Sequence, residues 1–332
     1  MMSKTHQPNR LFRRPIVWVQ SAILAALGSM LPPASAWAQD QTIRIIVSLP
    51  AGGGVDAMAR YLGQQLGAEL HRPVVVENRP GGSGTIAAKA VMGAQEGQTT
   101  LLAGGNQEIT IAPHLLGDAN YRPLANLVPV LQVGVVPSVV VAKAGPDATP
   151  EALLSGLRNR RDVSIGIPGR GTPMHIALEE VAHQTGGQFL AVPYKGAPDV
   201  LTGVLSGSTQ YGAVGYPAAR SLLEGRGLSA VAVLAQQRSS LLPQVPAISE
   251  QGLQQRDLPQ VWYGFFIPAK TAKEETSRIS SAFEKLMSKQ PVQARLQELG
   301  IQVTGLQSPA FTKALEAESE YYRKAIIRYK IQ

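Results

Sequence analysis

Short apolar runs alternate with helix-type segments along most of the chain, and this alternation restricts the possible folds more than any other feature. Several runs are apolar throughout, which is typical of strands covered by helices on both faces. The pattern therefore predicts an α/β protein whose mixed, mostly parallel sheets carry helices on both faces. The predicted strands are Ile43–Val47, Val74–Val76, Thr100–Ala103, Val130–Val133, Val139–Ala142, Val163–Ile167, Phe189–Val192, Tyr211–Val214, Ala230–Leu234 and Trp262–Ile267.

Helices are predicted between most of these strands and after the last one. A chain of this length commonly divides into two lobes. The segment before Gly145-Pro146 and the segment Leu258-Pro259 are candidate crossings between them. We therefore expect one lobe to comprise residues 39–142 and 262–332, and the other residues 143–261. The predicted helices are Asp56–Glu69, Thr85–Ala94, Pro150–Arg158, Pro173–Gln184, Asp199–Ser206, Pro217–Glu224, Thr271–Lys289, Pro291–Leu299 and Pro309–Tyr329.

The N-terminal segment has the three parts of a secretory signal. Four basic residues precede an apolar stretch from Ile16 to Leu31, and Ala36-Trp37-Ala38 then provides a small-residue cleavage site. A retained membrane anchor is the alternative, but the apolar stretch is shorter than a span requires and ends at Pro32-Pro33. We expect residues 1–38 to be a signal peptide, removed near Ala38 on export to the periplasm, and the mature protein not to span the membrane.

Charge and cysteine content exclude some classes of protein. The formal net charge is +8, and loss of the signal would remove four of the 31 basic residues and none of the 23 acidic ones. The remaining bias is mild and forms no basic block, so nucleic acid binding has little support. The chain has no cysteine. Its stability must therefore come from an apolar core rather than from disulfides.

The strongest candidate site is the stretch from Ser48 to Asp56, where a strand runs into Gly52, Gly53 and Gly54 before a helix opens. Glycine has no Cβ, so a bare backbone can close around a small anion. The N–H groups of a helix's first turn have no internal partner and can bind that anion. A tight turn with Asp56 as the N-cap is the alternative. Three glycines exceed what a turn requires, which favours contact with a ligand.

A second strand ends in a similar loop from Gly166 to His175. Thr172 is the expected N-cap, with Pro173 at the first helical position. This helix should face the cleft from the other lobe. Two helix N-termini, each carrying about half a positive charge, would suit a carboxylate. Arg170 could add a bidentate contact or remain a solvated loop arginine.

Other candidates carry weaker signals. Lys195 could reach an anion across the cleft, although a solvated lysine is the usual outcome, and Trp262 could line the cleft or pack the hinge. His175, Glu179 and His183 share a helix face, but the outer two lie about 12 Å apart along the axis, too far for one metal ion. We expect no metal.

Nucleotide binding and catalysis have little support. Gly82, Gly84 and Ala87 fit a dinucleotide fingerprint, but the preceding strand stops too early and no acidic residue follows at the required distance. No nucleophile–base pair stands at a recognisable spacing. We therefore expect no cofactor and no enzymatic activity.

Many short motifs in sequence order resemble those of the Bug family, the TctC-like substrate-binding receptors of tripartite tricarboxylate transporters. The motifs are Gly52–Gly54 with Asp56, Gly171-Thr172 with His175, Val192–Gly196, Arg238 with Leu242–Pro246, Glu250–Leu253, and Trp262 with Gly264. The resemblance implies a type II periplasmic binding protein, in which two lobes close like a Venus flytrap on a small carboxylate. It also implies delivery to the membrane permease subunits of such a transporter. A sensor of the same fold that feeds a histidine kinase and, less favoured, a periplasmic hydrolase are the alternatives.

The resemblance and the loop patterns together define a set of expected ligand-binding residues, with the anion contacts on Gly52, Gly53, Gly54, Gly171 and Thr172. Leu49, Val55, Arg170, Pro173-Met174 and Gln210 depart from residues usual in the family. Fewer hydroxyls suggest a ligand with an apolar or aromatic body. The full expected set is Ser48, Leu49, Pro50, Ala51, Gly52, Gly53, Gly54, Asp56, Asn106, Gly169, Arg170, Gly171, Thr172, Pro173, His175, Lys195, Tyr216 and Trp262.

Overall fold

The computed structural model describes residues 42–118, 120–159, 163–253 and 258–331, so the predicted signal peptide lies outside the described residues. The strands, β1 to β11 in chain order, are Ile43–Val47, Val74–Asn78, Thr100–Gly105, Leu127–Val136, Ser138–Lys143, Ser164–Ile167, Leu190–Pro193, Tyr211–Gly215, Leu228–Val233, Val261–Pro268 and Gln302–Gln307. The α-helices, α1 to α11, are Gly54–Leu70, Thr85–Met92, Ala112–Leu115, Pro123–Asn126, Pro150–Arg158, Pro173–Thr185, Ala197–Ser206, Tyr216–Glu224, Lys273–Met287, Gln290–Glu298 and Ala310–Tyr329. Short 3₁₀ or π turns cover Gly82–Gly84, Gln107–Ile111 and Ile248–Gln251.

The strands form two mixed sheets, as the sequence predicts. The first sheet has the order β11-β4-β10-β3-β1-β2 and the second β7-β6-β8-β5-β9. Among the described strands, β1 is parallel to β2 and β3, and β6 is parallel to β7 and β8; the other five pairings are antiparallel. The parallel share is smaller than expected because β10 inserts antiparallel between β3 and β4, and β5 inserts antiparallel between β8 and β9. Strand β11 adds a fifth antiparallel pairing at the edge of the first sheet.

The first crossing between the sheets is at Pro137. β4 ends at Val136 in the first sheet, and β5 begins at Ser138 in the second. Our boundary after residue 142 therefore falls too late, since β5 pairs with β8 and β9. Proline cannot donate a ladder hydrogen bond, so it marks the break within one long apolar run.

Helices cover both faces of each sheet. In the first sheet, α1, α9 and α10 pack on one face and α2 and α11 on the other. In the second, α5 and α6 lie on one face and α7 and α8 on the other. Each sheet thus has an apolar core on both sides. Within the described ranges, no helix is long and apolar enough to cross a bilayer.

The C-terminal helix α11 joins the two halves. Phe311 and Leu315 pack in the core of the first sheet. About two and three turns further on, Tyr322 and Ile326 pack with Ile176 of α6, which covers the second sheet. A single helix therefore contributes to both cores.

The strand registers bring the carboxyl ends of the parallel strands in both sheets close to the crossing. Gly105, the last residue of β3, pairs with Tyr263, which also pairs with Gly134 near the end of β4. In the second sheet, Ser138 at the start of β5 pairs with Gly215 at the end of β8. Ligands of open α/β sheets bind at the carboxyl ends of such strands. The loops that follow β1, β3, β6 and β8 therefore border the crossing.

Candidate functional site

The first loop, residues 48–53, exposes its backbone from Leu49 to Gly53. Helix α1 starts at Gly54, two residues earlier than predicted, and its N-cap is Gly53, which offers no side chain. The expectation that Asp56 is the N-cap is therefore wrong, because Asp56 lies inside the first turn. Among the described residues, the amides of Gly53, Gly54 and Val55 have no hydrogen-bond acceptor. Gly53 is exposed and Gly54 half-buried, so their amides form an open, positively polarised helix start, whereas Val55 is buried.

Asp56 instead stabilises the first loop through hydrogen bonds from within the first turn of α1. Its Oδ2 accepts a hydrogen bond from the Gly52 N–H at 2.9 Å and from Arg60 Nε at 3.1 Å, and its Oδ1 accepts one from Asn78 Nδ2 at 2.9 Å. Burial raises the pKa of Asp56, but the hydrogen bonds from Arg60, Gly52 and Asn78 outweigh it and hold the pKa below its ordinary value. The ionised carboxylate fixes Gly52, whose φ of +84° suits glycine.

The second loop, residues 168–172, has the predicted helix start. Thr172 is the N-cap of α6, and its Oγ1 accepts the His175 N–H at 3.3 Å, with Pro173 at the start of the helix. Its hydroxyl donates in turn to the Gly169 carbonyl at 3.1 Å. The Gly171 N–H donates to His175 Nδ1, also at 3.1 Å. These donors are thus engaged within the loop.

The second loop also packs against residues of the first half of the chain. Gly171 is buried with a φ of +68°, and a Cβ at this position would lie 2.5 Å from Leu115 Cδ1. One turn into α6, Ile176 packs with Ile111. Arg170, in contrast, is exposed. The second loop therefore packs closely against Leu115, while the exposed Arg170 guanidinium can contact an anion.

Sequence reasoning missed a buried carboxyl group, Glu108, in the turn after β3. Its Oε1 accepts the Gly105 N–H at 2.9 Å, and the side chain fills the space left by Gly84 and Gly104. Burial raises the pKa of Glu108 to about 7. In the sequence, this space is indicated only by two glycines, Gly104 near the end of β3 and Gly84 just before α2. They do not predict which side chain fills it.

Two expected ligand contacts, Asn106 and Trp262, belong to a buried network instead. The Asn106 Nδ2 donates to the Gln260 carbonyl at 2.7 Å and to Glu318 Oε1 at 2.9 Å. The Trp262 Nε1 donates to both oxygens of Glu318 at 3.0 Å, and its ring contacts Phe311 edge-on. Burial raises the pKa of Glu318 to about 7. These side chains hold α11 against β10, so a structural role accounts for both.

The remaining candidates are dispersed. Lys195 is exposed after β7, whereas Tyr216 is half-buried and its N–H donates to the Pro137 carbonyl at 2.8 Å, at the crossing. His175 is buried, with Nε2 at 3.4 Å from Glu179 Oε1. Across the described part of the chain, no three His, Asp or Glu side chains are grouped to hold a metal ion.

Comparison with known proteins identifies the family. The chain matches TctC, described as the tripartite tricarboxylate transporter family receptor, over residues 58–330. This chain is a member of the TctC family. The protein BugT of Bordetella pertussis is 31% identical over 252 residues, which are 75% of this chain and 77% of that protein.

Solved structures similar to this TctC-family chain share its fold. An R. palustris protein, Rpa4515, with adipate superposes with a TM-score of 0.78 at 25% identity and covers 87% of this chain and 97% of its own. MatC from Rhodopseudomonas palustris, with bound malate, gives a TM-score of 0.72 at 22% identity and covers 86% and 98%. The two-lobed periplasmic binding protein fold predicted from the sequence is confirmed.

The departures from the family pattern are not all at the site of this TctC-family chain. Leu49 is 40% exposed on the first loop, but Val55, Pro173 and Met174 are buried. Gln210 exchanges hydrogen bonds with Ser164 at the amino ends of β8 and β6. Those ends lie opposite the carboxyl ends that border the crossing. Gln210 is therefore far from the candidate site, and its identity does not indicate the kind of ligand. Leu49 alone supports an apolar ligand body.

Proposed function

We propose that this TctC-family receptor captures a small carboxylate between its two lobes in the periplasm and delivers it to the permease of a tripartite tricarboxylate-type transporter. The observation that carries the proposal is the exposed, uncapped start of α1 at the edge where the carboxyl ends of both sheets meet. An anion at a helix N-terminus is stabilised by free amides and by the helix dipole together.

The proposed grip on the carboxylate is unequal between the lobes. The amides of Gly53 and Gly54 bind the head group, with Gly52 held beside them by Asp56. The second lobe contributes Arg170 and, at longer range, Lys195, both of which are exposed. Since a ligand that touches both lobes favours the closed state, binding shifts the population toward it.

The proposed ligand has an apolar body beside its carboxylate. Leu49 is the side chain that suggests this, because it is exposed on the first loop where the body of a bound ligand would lie. Stabilisation by aromatic or aliphatic monocarboxylates in a thermal-shift screen supports this part. Stabilisation by polar di- and tricarboxylates alone contradicts it.

The proposed role also includes export by the predicted signal peptide and binding without turnover. A ligand recovered unchanged after long incubation agrees with a receptor, whereas its conversion indicates an enzyme. Delivery to the permease is tested by uptake of labelled ligand into cells that express the permease with and without this receptor. Equal uptake in the presence and absence of the receptor contradicts delivery.

The head-group contact is tested by removing one amide. Gly53→Pro deletes the Gly53 N–H, while Gly53→Ala keeps it and meets only the Pro50 carbonyl, at 3.5 Å. Proline is compatible with the Gly53 φ of −81°. A hydrogen bond to a charged group contributes about 1.5–3 kcal/mol, so Gly53→Pro should weaken binding about tenfold or more in isothermal titration against a carboxylate panel. Equal affinities for the two variants contradict this contact.

A further inference from the structure

A buried hydroxyl and a buried carboxyl lie directly beneath the first loop. Ser48, the first residue of that loop, is 1% exposed, and Glu108 is 2% exposed. Both face the space left by Gly104, where a Cβ would lie 3.2 Å from Ser48 Oγ and 1.7 Å from Glu108 Oε1. The Ser48 hydroxyl is near enough to lower the pKa of the carboxyl, but its geometry does not complete a hydrogen bond. Within the described residues this hydroxyl has no partner.

Neutral groups face the Glu108 carboxyl from the neighbouring elements. The Gly105 N–H comes from the end of β3, and Gly84 closes the side next to α2. Tyr263 of β10 lies close enough that burial and the Glu108 charge raise its pKa to about 12. The Tyr121 hydroxyl donates to the Glu108 backbone carbonyl at 2.6 Å. None of the groups that set the pKa of Glu108 is a cation.

Tyr263 places the carboxyl close to the proposed anion contacts. A Cβ on Gly54 would lie 3.2 Å from the Tyr263 hydroxyl oxygen, so this ring packs under the start of α1. The same ring borders Gly105, where a Cβ would lie 3.8 Å from Tyr263 Cδ1, and the Gly105 N–H donates to Glu108 Oε1. A negative charge on Glu108 and a ligand anion at the α1 amides would therefore repel each other across a poorly screened interior.

We propose that Glu108 is a specificity-determining residue of this site, which favours ligands with a single negative charge and couples their binding to the uptake of one proton. The inference rests on the proposed function, because it assigns the ligand carboxylate to the amides of Gly53 and Gly54. A second carboxylate on the ligand adds a further repulsion, whereas a neutral group at that position does not.

Thermodynamic linkage predicts how the ligand affinity depends on pH. If the ligand anion binds only when Glu108 is protonated, its affinity falls by up to about tenfold per pH unit above the pKa of Glu108. That pKa is about 7, so the fall is expected in mildly alkaline solution. Simple carboxylate ligands are fully ionised throughout this range and contribute no slope of their own.

The test uses the full chain after export and three pairs of probes: succinate, glutarate and adipate, each with its monomethyl ester. Isothermal titration between pH 6.5 and 8.5 should give tighter binding of the monoester in each pair that binds, and weaker binding as the pH rises. Titration at pH 8.5, where a carboxyl with a pKa of about 7 is almost fully ionised before the ligand binds, counts the protons directly when it is repeated in two buffers with different heats of ionisation. Uptake approaching one proton supports the inference, and zero uptake overturns it without any mutation.

Two isosteric variants test whether Glu108 is the residue that makes ligand affinity depend on pH. Glu108→Gln should flatten the pH slope and reduce the preference for the monoester. Glu318→Gln is the matched control, because Glu318 is a second buried carboxyl among the described residues with a pKa raised to about 7 and lies in the network around Trp262. A slope that persists in Glu108→Gln, or disappears in Glu318→Gln instead, overturns the inference. A wild-type protein that binds no probe and no other carboxylate contradicts the proposed function itself, whereas binding without proton uptake contradicts only this inference.

Discussion

The loops after β1 and β6 both join a buried strand to a helix start through glycines, but they use their backbone donors differently. In the first loop, the Gly52 N–H is held by Asp56 inside the helix, which leaves the amides of Gly53 and Gly54 without an acceptor among the described residues. In the second loop, Thr172 caps the helix and the Gly171 N–H is bound by the His175 ring.

A helix N-terminus can bind an anion only where its amides remain free. Both starts carry a helix dipole. Only the first one lacks a capping side chain, whereas the second is capped by Thr172 and buried against Leu115. We therefore expect substitutions in the first loop to change ligand affinity, and those in the second to change mainly stability.

The largest effect is expected for Asp56→Ala, which removes the support of the first loop. The substitution removes the acceptor of the Gly52 amide, one of the two acceptors of the Asn78 side chain and the ion pair of Arg60, so it should lower the free energy of unfolding by about 3 kcal/mol and also weaken ligand binding. Urea denaturation and isothermal titration measure the two effects. Asp56→Asn is the control, because an amide oxygen can still accept the Gly52 N–H. Unchanged affinity in Asp56→Ala would contradict the proposed role of the first loop.

Asp56 also predicts an acid dependence of stability. Its pKa in the folded protein is below the ordinary value, so its contribution is present above about pH 4 and is lost as the pH falls through the folded-state pKa. Asp56→Ala should therefore lose less stability than the wild type between pH 5 and pH 3, as measured by urea denaturation. An identical acid profile in both proteins would show that Asp56 is not the group responsible.

A pair of glycine substitutions tests the contrast between the loops. Both Gly171 and Gly52 have positive φ, where a Cβ costs about 1–2 kcal/mol. A Cβ on Gly171 also meets Leu115 Cδ1 at 2.5 Å, while one on Gly52 meets nothing within 4 Å. Gly171→Ala should therefore reduce stability by about 2 kcal/mol or more, and Gly52→Ala by about 1 kcal/mol. Ligand affinity should follow the reverse order, since Gly52 borders the proposed head-group contacts. Equal losses of affinity would remove the contrast.

Local chemistry explains how much of this structure could be predicted from the sequence. Continuous apolar runs predicted ten of the eleven described strands, and the Thr172-Pro173 dipeptide predicted the start of α6 at Pro173. Strand β11 was missed because it is partly exposed and has only two apolar side chains, Val303 and Leu306. The start of α1 was misplaced because Gly53 serves as the cap without any side chain, so the first acidic residue looked like the cap.

The features that could not be predicted depend on contacts between residues that are distant in sequence. Ser48 and Glu108 are sixty positions apart and meet only because β1 and β3 are neighbours in the first sheet. Asn106 and Trp262 follow or lie on strands at the carboxyl edge, which suggested a site, but their side chains turn toward Glu318 of α11. No periodicity or motif specifies which side chains point into the cleft and which into the core.

The smallest effect is expected for Thr172→Val, and it tests the contrast most sharply. The Thr172 hydroxyl makes two hydrogen bonds within its loop, since it accepts the His175 N–H and donates to the Gly169 carbonyl. Valine keeps the shape and removes both bonds, so loss of this cap should lower the free energy of unfolding by about 1 kcal/mol while ligand affinity changes less than about twofold. Thr172→Ser should recover most of the stability, because serine also caps helices. A large loss of affinity at unchanged stability would instead show that this hydroxyl binds the ligand, and the two loops would then form an equal pair of grips.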